Sequence, residues 1–131
     1  MKQFDREYDF AGHTILVVED NLISYKLIEA NLQRTHLTLL HASDGKQAVD
    51  TFREHPGVEL VLMDIQLPVM SGLEVTEILH AERPDLPIIA TTANAFNDDR
   101  EACLKAGCRE YITKPIAFDR LFEIIASYLT P

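Results

Sequence analysis

Long apolar runs are missing from this chain. Its longest stretches, such as Ile15-Leu16-Val17-Val18, fall far short of the ~20 residues that a membrane-spanning helix requires. Residues Met1 to Phe10 lack the apolar core of a secretory signal. Basic side chains are also scarce: 12 Lys and Arg face 21 Asp and Glu, for a formal net charge of -9, and no run of five or more occurs. That balance excludes the clustered cationic surface that grips nucleic acid, and it suits a cationic ligand, a metal or a basic partner. Cysteine is limited to Cys103 and Cys108, with no CxxC and no Cys/His cluster. A disulfide framework is therefore excluded, and two small buried or half-buried thiols in a reducing compartment are expected. Internal repeats and low-complexity segments are absent as well. The expectation is a cytoplasmic protein that itself touches neither membrane nor nucleic acid.

What is present is the material of one ordinary domain. With 131 residues, 47% hydrophobic and 25% charged, the chain can bury a core without metal or disulfide staples. Residues 1–13 are polar with scattered aromatics and read as a linker or N-terminal extension; the domain itself spans 14–131. From Thr14 onward, short apolar runs alternate with segments of helical period. Strands are expected at Thr14 to Val18, Leu37 to His41, Val58 to Met63, Leu86 to Thr91 and Glu110 to Thr113. Between them, helices carry Ile23, Leu27, Ile28 and Leu32, then Ala48, Val49 and Phe52, then Val75, Ile78 and Leu79. A fourth helix runs from an Asn97-Asp98-Asp99 cap through Lys105 and is stopped at Gly107, and the last shows Leu121, Ile124, Ile125, Tyr128 and Leu129 on one face. Strict alternation of five strands and five helices predicts an α/β fold, a doubly wound parallel sheet with right-handed crossovers.

In an open sheet of this kind, ligands bind beyond the carboxyl ends of the strands. Strand one ends in Glu19-Asp20-Asn21, strand three in Asp64, strand four in Thr91-Thr92, and strand five in Thr113-Lys114-Pro115. Taken singly, Glu19-Asp20 is an ordinary acidic loop and Asp64 an ordinary strand-end turn residue. Taken together with Thr92 and Lys114, they form a convergent set at one sheet edge. Clustered carboxylates repel one another unless a cation joins them, and Mg²⁺, with its hard-oxygen preference, is the expected one.

These residues carry a resemblance. Val17-Val18-Glu19-Asp20-Asn21, Met63-Asp64-Ile65-Gln66-Leu67-Pro68 with Ser71-Gly72, Thr92-Ala93, and Tyr111-Ile112-Thr113-Lys114-Pro115 resemble the receiver domains of bacterial two-component response regulators. The similarity runs from about Thr14 to about Leu129 and implies a flavodoxin-like (βα)5 fold with strand order 2-1-3-4-5. It further implies that Asp64 is the phosphoacceptor. Asp20 and Asp64 would bind Mg²⁺ directly, Glu19 would do so through water, and the Gln66 carbonyl would complete the protein ligands. Lys114 and Thr92 would bind phosphoryl oxygens, Tyr111 would be the switch aromatic, and the Lys114-Pro115 bond would be cis. Gln66 and Asn94 would set the lifetime of the aspartyl phosphate. The implied donor is a phosphohistidine on a histidine kinase or histidine phosphotransfer protein, and the implied output is a change of the surface formed by helix four, strand five and helix five.

Two positions depart from the commonest pattern: Leu67 replaces Met, and Ser71 replaces an acidic residue or Asn. Neither touches the expected chemistry. A haloacid-dehalogenase-like phosphatase would also form an aspartyl phosphate, but it needs a second Asp where Gln66 stands. A pseudo-receiver that only binds protein would not need the complete set Glu19, Asp20, Asp64, Thr92 and Lys114. The five His residues, 13, 36, 41, 55 and 80, read as surface or half-buried structural groups, with His41 alone near the expected site. Leu22, Ile23, Pro115 and Ile116 either pack locally or dock a helical partner. Both a stand-alone regulator and the receiver of a hybrid histidine kinase fit the resemblance, the latter somewhat better.

Overall fold

The computed structural model describes residues 8–93 and 97–129, with side chains at 97–99 excepted. Five strands, β1 (Thr14–Val18), β2 (Thr38–Ala42), β3 (Leu60–Asp64), β4 (Ile88–Thr92) and β5 (Glu110–Thr113), form one parallel sheet in the order β2-β1-β3-β4-β5. Helices α1 (Leu22–Leu32), α2 (Gly45–Glu54), α3 (Gly72–Glu82), α4 (Asn97–Ala106) and α5 (Phe118–Leu129) connect and follow them. The expected α/β architecture and strand order are thus both observed. β2, β3 and β4 begin one or two residues later than their apolar runs suggest, because Leu37, Val58 and Leu86 are buried in the approach to each strand rather than within it. The first helix also stops at Leu32 and tightens into a 3₁₀ turn over Gln33–Thr35, closed by His36 in the left-handed region (φ 66°).

Period-two alternation explains why the central strands read as continuous apolar runs. In β1, Ile15 and Val17 face α1 and α5, while Leu16 and Val18 face α2, α3 and α4; β3 repeats this with Leu60 and Leu62 against Val61 and Met63. Both faces are therefore dry, and both cysteines lie in the core, as expected. Burial pushes the Cys108 thiol up to about 12. Within the stretch read as linker, Phe10 is buried in the α1/α5-side core. Its N–H donates to the Thr35 carbonyl (2.6 Å), and Tyr8 packs against both Phe10 and Phe122. The packed body thus reaches upstream of Thr14; residues 1–7 lie outside the described part.

Candidate functional site

The site grows from three strand ends. β1 finishes at Val18, and Glu19 follows with its N–H still donating to the Ala42 carbonyl of β2 (3.0 Å). The Glu19 side chain therefore turns inward, and the residue is 1% exposed. Asn21 then caps α1 by accepting from the Ser24 N–H (2.9 Å), while its own N–H donates to Glu19 Oε2 (3.1 Å). Asp64 is the last residue of β3 and is 2% exposed; its Oδ1 accepts from the Gln66 N–H (2.9 Å). Lys114 follows β5, tied to β4 by its N–H on the Thr92 carbonyl (2.7 Å). Its Nζ reaches across the sheet edge to Glu19 Oε1 (2.9 Å) and Asp64 Oδ2 (3.2 Å). The Lys114-Pro115 bond is cis.

One carboxylate oxygen from each of Glu19, Asp20 and Asp64 lies within 4.8 Å of the others. Two of the three residues are buried and Asp20 is exposed, which leaves the cluster open on one side. Burial pushes the Asp64 carboxyl up to about 6; the Gln66 amide pulls it down, Glu19 adds to the rise, and Lys114 opposes it. For Lys114, burial alone would lower the pKa, but the Glu19 and Asp64 carboxylates outweigh it and hold the ammonium above its usual range. This cluster of hard oxygen donors could hold a divalent metal ion.

Among the remaining expected residues, Thr92 is fully buried at the end of β4, one residue beyond the register partner of Asp64, Thr91. Gln66 is exposed, and its Oε1 accepts from the Ala93 N–H (3.4 Å), which ties the loop after β3 to the end of β4. Its amide carries no acidic proton, unlike the second Asp that phosphatase chemistry would need. Tyr111 is half-buried on β5 and packs against the α2/α3/α4-side core. Asn94 lies outside the described residues. Ser71, the departure from the usual acidic residue or Asn, caps α3 by accepting from the Glu74 N–H (3.3 Å), so the turn is kept by a different side chain.

Two contributors were hard to read in one dimension. Gly72 opens α3 against the backbone of the phosphoacceptor candidate: an added Cβ would collide with the Asp64 carbonyl and lie 2.7 Å from the Ile65 Cα. His41, on β2, stacks flat on Tyr25 of α1 (ring centroids 3.7 Å, planes 7° apart) and directs its Nε2 at the Glu19 carbonyl (2.9 Å). Its only sequence signal was its place at the end of the strand expected over Leu37 to His41, beside the site. Beside the site, a groove of about 360 Å³ is lined by Ser24, Leu27, Ile28, Pro115, Ile116 and Phe118, with Leu22, Ile23 and Leu27 of α1 exposed. Among the described residues, no helix is long and apolar enough to cross a membrane.

Comparison with known proteins accords with this geometry. The polar-differentiation response regulator DivK of Brucella ovis is 42% identical over 118 residues, covering 88% of this chain and 95% of the relative. The receiver domain of sensor histidine kinase PA1611 from Pseudomonas aeruginosa PAO1, whose crystal structure has a magnesium ion coordinated in the active site cleft, superposes with a TM-score of 0.83. It is 37% identical, covering 92% of this chain and all of that one. The receiver domain of the Saccharomyces cerevisiae response regulator Ssk1, in a co-crystal with the histidine phosphotransfer protein Ypd1, gives a TM-score of 0.83 at 29% identity, covering 92% and 90% of the two chains. The family model for the response regulator receiver domain matches residues 15–126. Fold, strand-end chemistry and these matches agree: the chain belongs to the response regulator receiver domain family.

Proposed function

We propose that this chain is a phosphoacceptor signalling domain that takes a phosphoryl group from a phosphohistidine onto Asp64, the donor being a histidine kinase or histidine phosphotransfer protein. The observation that supports it most is the setting of Asp64, a buried strand-end carboxylate oriented by one amide and one ammonium donor, with two further carboxylates beside it. A carboxylate oxygen of Asp64 attacks phosphorus in line. An O–P bond forms, the N–P bond breaks, and the imidazole nitrogen of the donor keeps the electron pair. Lys114, already at Asp64, pairs with one phosphoryl oxygen, and the Thr92 hydroxyl takes another. Glu19, Asp20, Asp64 and the Gln66 carbonyl would hold Mg²⁺, and this donor set suits it; bound there, it would offset charge on the phosphoryl oxygens.

Charge arriving at Asp64 draws Thr92 toward it, and Tyr111 turns inward from its half-buried position, shifting the population of the α4-β5-α5 surface. Gln66 and Asn94 govern water access and so the phosphoryl lifetime. The apolar α1 face with the adjoining groove receives the helical donor protein. The test is labelling with acetyl phosphate in Mg²⁺: Asp64→Asn abolishes it, and undiminished labelling of that variant overturns the assignment. Thr92→Ala retains labelling but loses the phosphorylation-dependent spectral change of Tyr111; a full change in that variant refutes the coupling.

A further inference from the structure

A parallel strand pair leaves one acceptor without a partner where its strands diverge. The Glu19 N–H is still paired with Ala42, but beyond Ala42 the chain turns away to let Asp44 cap α2, its side chain accepting from the Gln47 N–H (2.8 Å). The next rung, which would have served the Glu19 carbonyl, is thereby lost. A carbonyl next to a buried residue needs a donor, and His41 Nε2 supplies it at 2.9 Å. A carbonyl only accepts, so Nε2 carries the hydrogen. The ring is held by flat stacking on Tyr25, itself 6% exposed in the α1/α5-side core.

That carbonyl belongs to the peptide joining Glu19 to Asp20, the two acidic residues of the β1 end. With its N–H held by Ala42, its Oε1 by Lys114, its Oε2 by the Asn21 N–H and its carbonyl by His41, Glu19 is fixed at every polar atom. Three of those four holds come from backbone or from the site itself. The fourth comes from a side chain on an edge strand that plays no part in the proposed chemistry. Asp20 has no comparable burial, and the peptide that precedes it fixes where its Cα, and so the base of its side chain, sits.

We propose that His41 is a positioning residue for the acidic loop: its Nε2–H, clamped by Tyr25, orients the Glu19–Asp20 peptide and so sets how well Asp20 joins Glu19 and Asp64 around a divalent cation. This rests on the cation-binding reading above. Partners of this outer kind are worth about 10–100-fold in metal affinity, and a loss at the lower end is expected because His41 acts through backbone.

The experiment uses the full chain with three variants. His41→Phe keeps a ring on Tyr25 but has no donor, His41→Met has neither, and His41→Gln carries an amide N–H near the Nε2 position. Mg²⁺ affinity is read by isothermal titration calorimetry, and the Asp20 amide shift by NMR without metal. The donor-less variants lose about tenfold in Mg²⁺ affinity and share a displaced Asp20 amide, while His41→Gln restores both toward wild type. Wild-type affinity in a folded His41→Phe or His41→Met chain, or a His41→Gln as weak as those two, overturns the proposal. A wild-type chain that binds no Mg²⁺ overturns instead the reading on which it rests.

Discussion

Replacing Asp64 by Asn should make the metal-free protein more stable, although it removes the residue on which the proposed function depends. The Asp64 carboxyl is raised from its ordinary 3.8 to about 6, chiefly by burial. At about 1.4 kcal/mol per unit, keeping it ionised costs about 3 kcal/mol at neutral pH. Asn keeps the acceptor for the Gln66 N–H, and the attraction of Lys114 is already contained in the shift to about 6, so the net gain is about 2–3 kcal/mol. For a chain of this size that is about 6–15 °C in Tm. The sign follows from linkage: a carboxyl whose pKa is raised in the folded state binds its proton more tightly there. Its contribution is intact below pH 3.8 and is lost as pH rises through about 6. The advantage of Asp64→Asn should therefore be near zero at pH 4, grow between pH 4 and 6, and be complete at pH 7.5. Differential scanning calorimetry in EDTA at several pH values measures it. Saturating Mg²⁺ should then reverse the order, since ligand at about 1,000 times Kd adds about 4.1 kcal/mol to the wild type alone. An Asn variant no more stable than wild type at pH 7.5 without metal would refute the electrostatic account of the site.

Three other outcomes follow from local geometry. Gly72→Ala drives a methyl into the Asp64 carbonyl and Ile65 backbone, neither of which can rotate away, and should cost about 2–3 kcal/mol in urea unfolding; a loss under about 0.5 kcal/mol would show that α3 shifts freely. Val69 sits in the left-handed region (φ 69°) with its side chain fully exposed. Val69→Gly should thus gain about 0.5–1 kcal/mol, the relieved strain less the added freedom of the unfolded chain, and a destabilised variant would show that Val69 makes a contact worth more than its strain. With Cys103 and Cys108 buried and the Cys108 thiol near 12, Ellman's reagent at pH 8 should find no thiol in the native protein and two after denaturation; prompt native reaction would mean that the α4 region opens.

The readable parts of this protein were those with a one-dimensional signature. Ile15 to Val18 and Leu60 to Met63 are apolar at every position because both sheet faces are covered, which the alternating helical segments already implied. The strand-end residues Glu19, Asp64 and Lys114 were legible because a parallel sheet brings its carboxyl ends to one edge, and 95 residues of separation between Glu19 and Lys114 then close to 2.9 Å. Strand starts were less legible: Leu37, Val58 and Leu86 are as buried as strand residues, so hydrophobicity alone does not separate approach from ladder. Phe10 was not legible for a related reason: it is one of several aromatics in a polar stretch, and it stacks on Tyr8, whose other ring partner, Phe122, lies at the other end of the chain.

By itself the sequence determined the class of fold, the strand order through its family resemblance, and the acidic and cationic residues that meet at one edge. These depend on periodicity and on residue types at strand ends, properties carried locally. Only the tertiary structure decided that His41 completes the hydrogen bonds of Glu19, that Gly72 must lack a side chain beneath Asp64, and that Lys114 bridges two carboxylates rather than one. Each depends on a distance between residues remote in the chain. Such distances are set by how strands diverge and helices settle, which no local pattern encodes.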